Sequence, residues 1–277
     1  MRVPPTVFAD PDHLGRSLAT LIADALATAA ESGRPFLLGC PGGRSALSTY
    51  QALAEQVAGR GLDLRHMVVV MMDEYVERDE VTGALRRIDP ALEHSCVRFG
   101  QLEIVERLNR AAAPGRGIDA DRFWIPDPAD PDEFDKRIAE HGGIDLFILA
   151  SGAGDGHVAF NPAGTRPGTR TRVVELAEQT RRDNLATFPT FENRLDRVPR
   201  YGVTVGVGTI QEQSKRAVMV VHGADKATAA RRLMAAEHYE PDWPATVLAD
   251  CANPLLFVDT AAAGQRPAAG AATIVTR

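Results

Sequence analysis

Short, unbroken apolar runs recur along the chain at 36–39, 67–72, 146–149, 201–207, 218–221 and 255–258. Apolar residues fill successive positions rather than every second one, the pattern of a strand covered on both faces. Between these runs the spacing becomes helical. Residues 13–32 are rich in Ala and Leu and end at Gly33, and 45–59 follow a glycine-rich turn. Residues 131–141 set Phe134 and Ile138 four apart on one face, and 224–237 open after Gly223. Strands alternating with helices predict an α/β fold: a doubly wound, mostly parallel, Rossmann-like sheet with helices on both faces. Sheets of this kind take ligands at the carboxyl ends of their strands, so functional side chains are expected just after the apolar runs.

Two stretches depart from that rhythm. Residues 165–199 are rich in Arg, Thr and Asn with few apolar residues in register, and are expected to cross over the sheet as a lid. Residues 261–277 mix Ala, Gly and Pro and are expected to form a flexible tail. No internal repeat or sharp boundary divides the chain, so 1–277 reads as a single domain.

Composition narrows the function classes. A chain of 277 residues buries a substantial core without disulfides. The net charge of -6 and the lack of a basic stripe argue against a nucleic-acid partner. Cys40, Cys96 and Cys251 are far apart and form no CxxC pair, so neither a zinc site nor a disulfide framework is indicated. Reduced thiols and a cytoplasmic location are expected. Met1 is followed by Arg2, Val3, Pro4 and Pro5 rather than an apolar run, so no secretory leader is expected. No stretch approaches the roughly 20 apolar residues of a membrane span, and no membrane association is expected.

Four strand ends carry candidate chemistry. Gly39-Cys40-Pro41-Gly42-Gly43-Arg44-Ser45 follows a strand and opens a helix, where free N–H groups and a positive partial charge suit an anion. Arg44 adds a guanidinium to it; the same turn also suits a strand–helix corner without a ligand. Asp73-Glu74-Tyr75 closes the run 67–72, and buried carboxylates there are costly unless paired, solvated or used. Asp73 is the candidate general base. Glu74 points the other way if the strand persists, and is set among the substrate contacts.

Ser151-Gly152-Ala153-Gly154-Asp155-Gly156-His157 presents Asp155 and His157 from a glycine-rich loop, with Gly154 beside the ligand. A carboxylate close to an imidazole fixes its tautomer. Gly223-Ala224-Asp225-Lys226 places Lys226 near a helix start, where it suits a phosphate or open solvent. His13, His66, His94, His141, His222 and His238 form no metal spacing and are read as structural or solvated.

Taken together these motifs resemble the glucosamine-6-phosphate deaminase/isomerase family, which shares a fold with the 6-phosphogluconolactonases. The likeness runs from Phe36 to Phe257 and is carried by Leu38-Gly39-Cys40-Pro41-Gly42-Gly43, Met72-Asp73-Glu74-Tyr75-Val76, Asp155-Gly156-His157-Val158-Ala159-Phe160-Asn161 and Thr204-Val205-Gly206-Val207-Gly208-Thr209. The continuations Glu74-Tyr75-Val76 and Val158-Ala159-Phe160-Asn161 look like the deaminase branch. The resemblance implies a sugar-phosphate isomerase-type fold and a small-molecule sugar phosphate as substrate. It implies that Asp73 moves a proton between C2 and C1. His157, supported by Asp155, assists ring opening, and Gly42, Gly43, Ser45 and Lys226 help hold the phosphate. Such a reaction calls for no metal and no other cofactor. Relatives often assemble, so a homo-oligomer is an expectation by analogy.

Three positions depart from the family pattern. Pro162 stands where the deaminases carry a glutamate after the asparagine matching Asn161. Arg44 replaces a small hydroxyl residue, and the family's phosphate-clamping lid arginine falls near Ala186, with Arg181, Arg182 and Arg44 as candidate substitutes. Two alternatives stay open. One is a 6-phosphogluconolactonase-like hydrolase, and the other is a non-catalytic sugar-phosphate sensor.

Overall fold

The computed structural model describes residues 2–264. In chain order its strands are β1 (Pro5–Phe8), β2 (Phe36–Cys40), β3 (Met67–Met71), β4 (Asp73–Arg78), β5 (Leu85–Arg87), β6 (Phe123–Trp124), β7 (Leu146–Ala150), β8 (Arg172–Glu175), β9 (Tyr201–Thr204), β10 (Ala217–Val221) and β11 (Leu255–Asp259). The α-helices are α1 (Pro11–Glu31), α2 (Leu47–Arg60), α3 (Cys96–Phe99), α4 (Arg107–Ala111), α5 (Pro131–Glu140), α6 (Glu178–Thr187), α7 (Val207–Gln213) and α8 (Ala227–Ala235). A π-helical stretch, Gly100–Glu106, joins α3 to α4.

The large sheet has the order β1-β11-β10-β7-β2-β3-β6, with every neighbouring pair parallel. Its central strands read as unbroken apolar runs because each feeds two cores. Leu38, Met67, Val69, Ile148 and Val218 pack against α1 and α2 on one face. Leu37, Val68, Val70, Phe147 and Met219 pack against α5, α7 and α8 on the other. Successive side chains of a strand point to opposite faces, so neither face tolerates a polar residue. The helices begin where local chemistry dictates. Asp10 caps α1 by accepting the His13 N–H at 2.8 Å, Pro11 occupies the first turn, and Leu14, Leu18, Ile22 and Leu26 form its buried stripe.

The chain order of the strands defines where a ligand fits. From β2 the chain moves to β3 and β6 on one side, then returns beyond β2 to β7 and moves outward to β10 and β11. The winding therefore reverses between β2 and β7, which opens a crevice at their carboxyl ends.

A second, antiparallel sheet of order β5-β4-β9-β8 starts at that same edge. Met72 alone separates β3 from β4. It donates its N–H to Cys40 O at 3.1 Å and accepts the Val205 N–H at 2.8 Å, joining the two sheets.

This second sheet corrects one expectation. The run 201–207 is not a strand of the parallel sheet: Tyr201–Thr204 is β9 of the small sheet, and Val207 already begins α7. A continuous apolar run reports cover on both faces, not the direction of its neighbours. Residues 165–199 contain the edge strand β8, the polar helix α6 and two short 3-10 turns, Pro189–Phe191 and Leu195–Arg197. Of the expected flexible tail at 261–277, residues 265–277 lie outside the described residues. Among the described residues no helix is long and apolar enough to cross a membrane.

Candidate active site

The loop after β2 forms one side of the crevice. Gly43 precedes the 3-10 turn Arg44–Ala46, which runs into α2, so the first N–H groups of this helical segment have no helical acceptors and no side-chain cap. His222, just past β10, donates from Nε2 to Ser45 O at 2.9 Å and ties this loop to the neighbouring strand end. His222, read from the sequence as structural or solvated, has a structural place here. Gly42 is held by crowding: an added Cβ would lie 2.8 Å from Cys96 Sγ and 3.6 Å from Asp73 Oδ1.

Across the switch point, the loop after β7 carries the Asp–His pair. Gly152 donates its N–H to His157 O at 2.8 Å and closes the loop on itself. Asp155 Oδ1 then accepts both the His157 backbone N–H at 3.2 Å and the ring Nδ1–H at 2.8 Å. A carboxylate acceptor on Nδ1 leaves Nε2 as the free proton acceptor of the neutral ring. Both side chains are about a fifth exposed, at 20% for His157 and 18% for Asp155, so they reach the crevice rather than the core. Burial raises the Asp155 carboxyl, but the hydrogen bonds and charge of His157 outweigh it and hold it below its ordinary value. The loop needs glycine at 152, because any Cβ there would overlap Asp155 Oδ1 and His157 Nδ1.

Asp73 opens β4 and is 5% exposed. Burial pushes its carboxyl up to about 7, with the Glu74 charge adding to the rise and the Cys96 thiol opposing it. A carboxyl poised there exchanges a proton readily near neutrality, which is what a general base requires.

Glu74 has a different place from the substrate contact expected of it. It is fully buried, and its oxygens accept Tyr75 N–H, Cys96 N–H, Val97 N–H and Ser95 Oγ–H at 2.7 to 3.0 Å. Its carboxylate anchors the start of α3. The two adjacent acids meet the same turn differently: Glu74 takes the Cys96 backbone N–H, and Asp73 lies against the Cys96 thiol.

Lys226, at the start of the α8 segment, donates to Ser151 O at 2.7 Å and so lies over the β7 loop. Burial lowers its ammonium from the ordinary value, while Asp225, Asp183 and Asp155 act against that. Arg44 reaches from the β2 loop to Thr187 Oγ1 of α6 at 3.3 Å. The other candidate substitutes for a lid arginine are engaged elsewhere: Arg181 donates to Leu195 O and Val198 O, and Arg182 pairs with Glu178. Asn161 is fully buried, donating to Val158 O and Val205 O and accepting from Arg172, so it pins the segment that follows His157.

The strands β10, β7, β2 and β3 are consecutive neighbours, so Lys226, the Asp155–His157 pair, Gly42 to Ser45 and Asp73 line one edge in that order. Asp73 and the β7 loop are two strands apart, roughly 10 Å at about 4.8 Å per strand, which is the width of a sugar ring with its substituents. Gly154 is part of the β7 loop, open and without neighbours where a Cβ would stand.

The chain is similar to known proteins along most of its length. A family model described as glucosamine-6-phosphate isomerases/6-phosphogluconolactonase matches residues 9–257. The chain is 29% identical over 265 residues to a glucosamine-6-phosphate deaminase of Bacillus pumilus, covering 94% of this chain and 98% of that protein. It is 31% identical over 261 residues to a glucosamine-6-phosphate isomerase of Candida albicans, covering 93% and 96%. The solved structure of a monomeric glucosamine-6-phosphate deaminase superposes with a TM-score of 0.79 at 25% identity, over 96% of this chain and 100% of that one. A 6-phosphogluconolactonase of Thermotoga maritima superposes with a TM-score of 0.65 at 16% identity, over 92% and 98%, and shares the fold.

Proposed function

The chain belongs to the glucosamine-6-phosphate isomerase/6-phosphogluconolactonase family, and we propose that it is a deaminating aldose–ketose isomerase acting on an amino-sugar phosphate such as glucosamine 6-phosphate. The products are a ketose phosphate and ammonia, with one water consumed. The observation that carries this reading is Asp73: a buried carboxyl held near 7, across the crevice from an Asp155–His157 pair. Opening a sugar ring and moving a proton between adjacent carbons needs two separate acid–base groups. Hydrolysing a lactone needs only one.

The phosphate sits on the N–H groups of Gly43, Arg44 and Ser45, with Lys226 and the Arg44 guanidinium neutralising its charge. His157, its Nδ1–H held by Asp155, acts through Nε2 at the ring oxygen as the hemiacetal opens. Asp73 takes the proton from C2 of the open-chain 2-amino aldehyde and returns one to C1, so that the enolamine between them becomes an imine at C2. Water adds at C2 and ammonia leaves. The segment 165–199 closes over the bound sugar, the Arg44–Thr187 contact linking it to the phosphate loop.

A second reading, lactone hydrolysis, is favoured by Pro162. With proline after Asn161, Asp155 is the carboxylate left to serve His157, and a single carboxylate suffices to orient an imidazole that activates water.

Incubating the purified protein with glucosamine 6-phosphate in deuterated water separates the two. Ammonia release with deuterium at C1 of the ketose phosphate is the expected result. Acid release from 6-phosphogluconolactone, with no ammonia from the amino sugar, would sink the deaminase reading.

A further inference from the structure

Cys96 touches the acid assigned to proton transfer: its Sγ lies 3.4 Å from Asp73 Oδ1. Three features hold it there. Ser95 caps α3 by accepting the Arg98 N–H at 3.2 Å. Glu74 accepts the N–H groups of Cys96 and Val97 and the Ser95 hydroxyl, so the neighbour of Asp73 on β4 grips the turn that carries the thiol. Gly42 closes the third side, since even a Cβ there would press on Sγ at 2.8 Å. Cys96 is 4% exposed. Burial and the carboxylates of Glu74 and Asp73 push its thiol well above the ordinary range, so it keeps its proton and acts as donor.

We propose that Cys96 is a positioning residue for the Asp73 base: its S–H holds Oδ1 and leaves Oδ2 free for the substrate C–H. The role of the base rests on the deaminase reading; the contact does not. A thiol is a weak donor, so it aligns the carboxyl while withdrawing little of its charge, which keeps Asp73 basic enough to remove a proton from carbon. The other charged group acting on Asp73 is Glu74 on its own strand; Asp73 in turn raises the buried Tyr75 hydroxyl, and Thr204 is its register partner on β9. The β2 loop faces it with Gly42, which has no side chain.

The test is the titration of Asp73 itself, read by carbon-13 NMR on the full chain labelled at aspartate carboxyls, with the resonance assigned by its loss in Asp73→Asn. The expected midpoint in the unaltered protein is about 7. In Cys96→Ala the midpoint rises by roughly half to one pH unit, the worth of a lost hydrogen bond to the charged form. In Cys96→Ser a stronger donor restores it to the original value or below. A Cys96→Ala midpoint that stays or falls, or a Cys96→Ser midpoint that rises alongside it, overturns the proposal. The measurement needs no turnover, so its failure is distinct from the absence of ammonia release that would sink the deaminase reading. Where turnover is present, the acid limb of kcat/KM moves in the same direction with KM unchanged.

Discussion

Asp73 and Thr204 are register partners across β4 and β9, and the Thr204 hydroxyl accepts the Phe160 N–H at 3.1 Å from the segment that carries His157. The small sheet thus bears the carboxyl proposed for proton transfer and is stitched, through one side chain, to the loop of the large sheet that bears the imidazole. Neither sheet holds all of the proposed reactive groups.

Asp73→Asn should abolish proton transfer while strengthening the fold in alkali. Turnover is expected to fall about 10²- to 10⁴-fold, with little change in KM. The folded state keeps the Asp73 proton up to about 7, whereas the unfolded chain loses it near 3.8. Between those values the native state binds more protons, so this group's contribution is intact below the lower value and is lost as pH rises through the upper one. The loss amounts to about 1.4 kcal/mol per pH unit between the two. Urea unfolding at pH 8 should therefore show the variant more stable than its parent, with the difference vanishing near pH 4. Equal stabilities at pH 8 would contradict the burial argument.

The same carboxyl sets a pH–rate profile. Below about 7 the base is protonated, and kcat/KM should drop tenfold per pH unit towards acid. An acid limb that persists unmoved in Asp73→Asn residual activity would assign it to another group.

Gly152→Ala is expected to remove at least 100-fold of the activity with secondary structure retained. The added methyl has no room beside Asp155 Oδ1 and His157 Nδ1, so the Asp–His hydrogen bond must break or the loop must shift. Circular dichroism with the ammonia assay checks it; a variant with wild-type turnover would show that the pair is dispensable.

Glu74→Gln should cost about 1–3 kcal/mol of stability, because the amide nitrogen would face N–H groups that now have an oxygen. It should also loosen the turn carrying Cys96. Urea unfolding and hydrogen exchange at Cys96 and Val97 measure both effects. Unchanged exchange there would remove Glu74 from its anchoring role.

The sequence announced the large sheet because strands buried on both faces leave no polar gap: β2, β3, β7, β10 and β11 lie within one residue of the apolar runs at each end. It was silent on the small sheet. β8 and β5 are short and partly exposed, and their alternation is too brief to separate from a loop. β9 looked like a core strand because it is one, although its partners run antiparallel. α6 has almost no apolar stripe and stayed hidden inside the lid reading. At the site, glycines after strands exposed the two loops and Lys226. Cys96 was invisible as a functional residue, since only the fold brings it against an acid more than twenty positions earlier in the chain.

Met72 has a further implication for how such proteins diversify. It is the lone residue between two strands whose side chains alternate, so the phase of β4 is set by a hinge one residue long. Inserting a single codon at that point would move Asp73 into the buried place that Glu74 now holds, and deleting one would bring Glu74 to the place of Asp73. Which acid stands beside Gly42 and Cys96 is thus chosen by the length of that hinge, with no change in the composition of the strand.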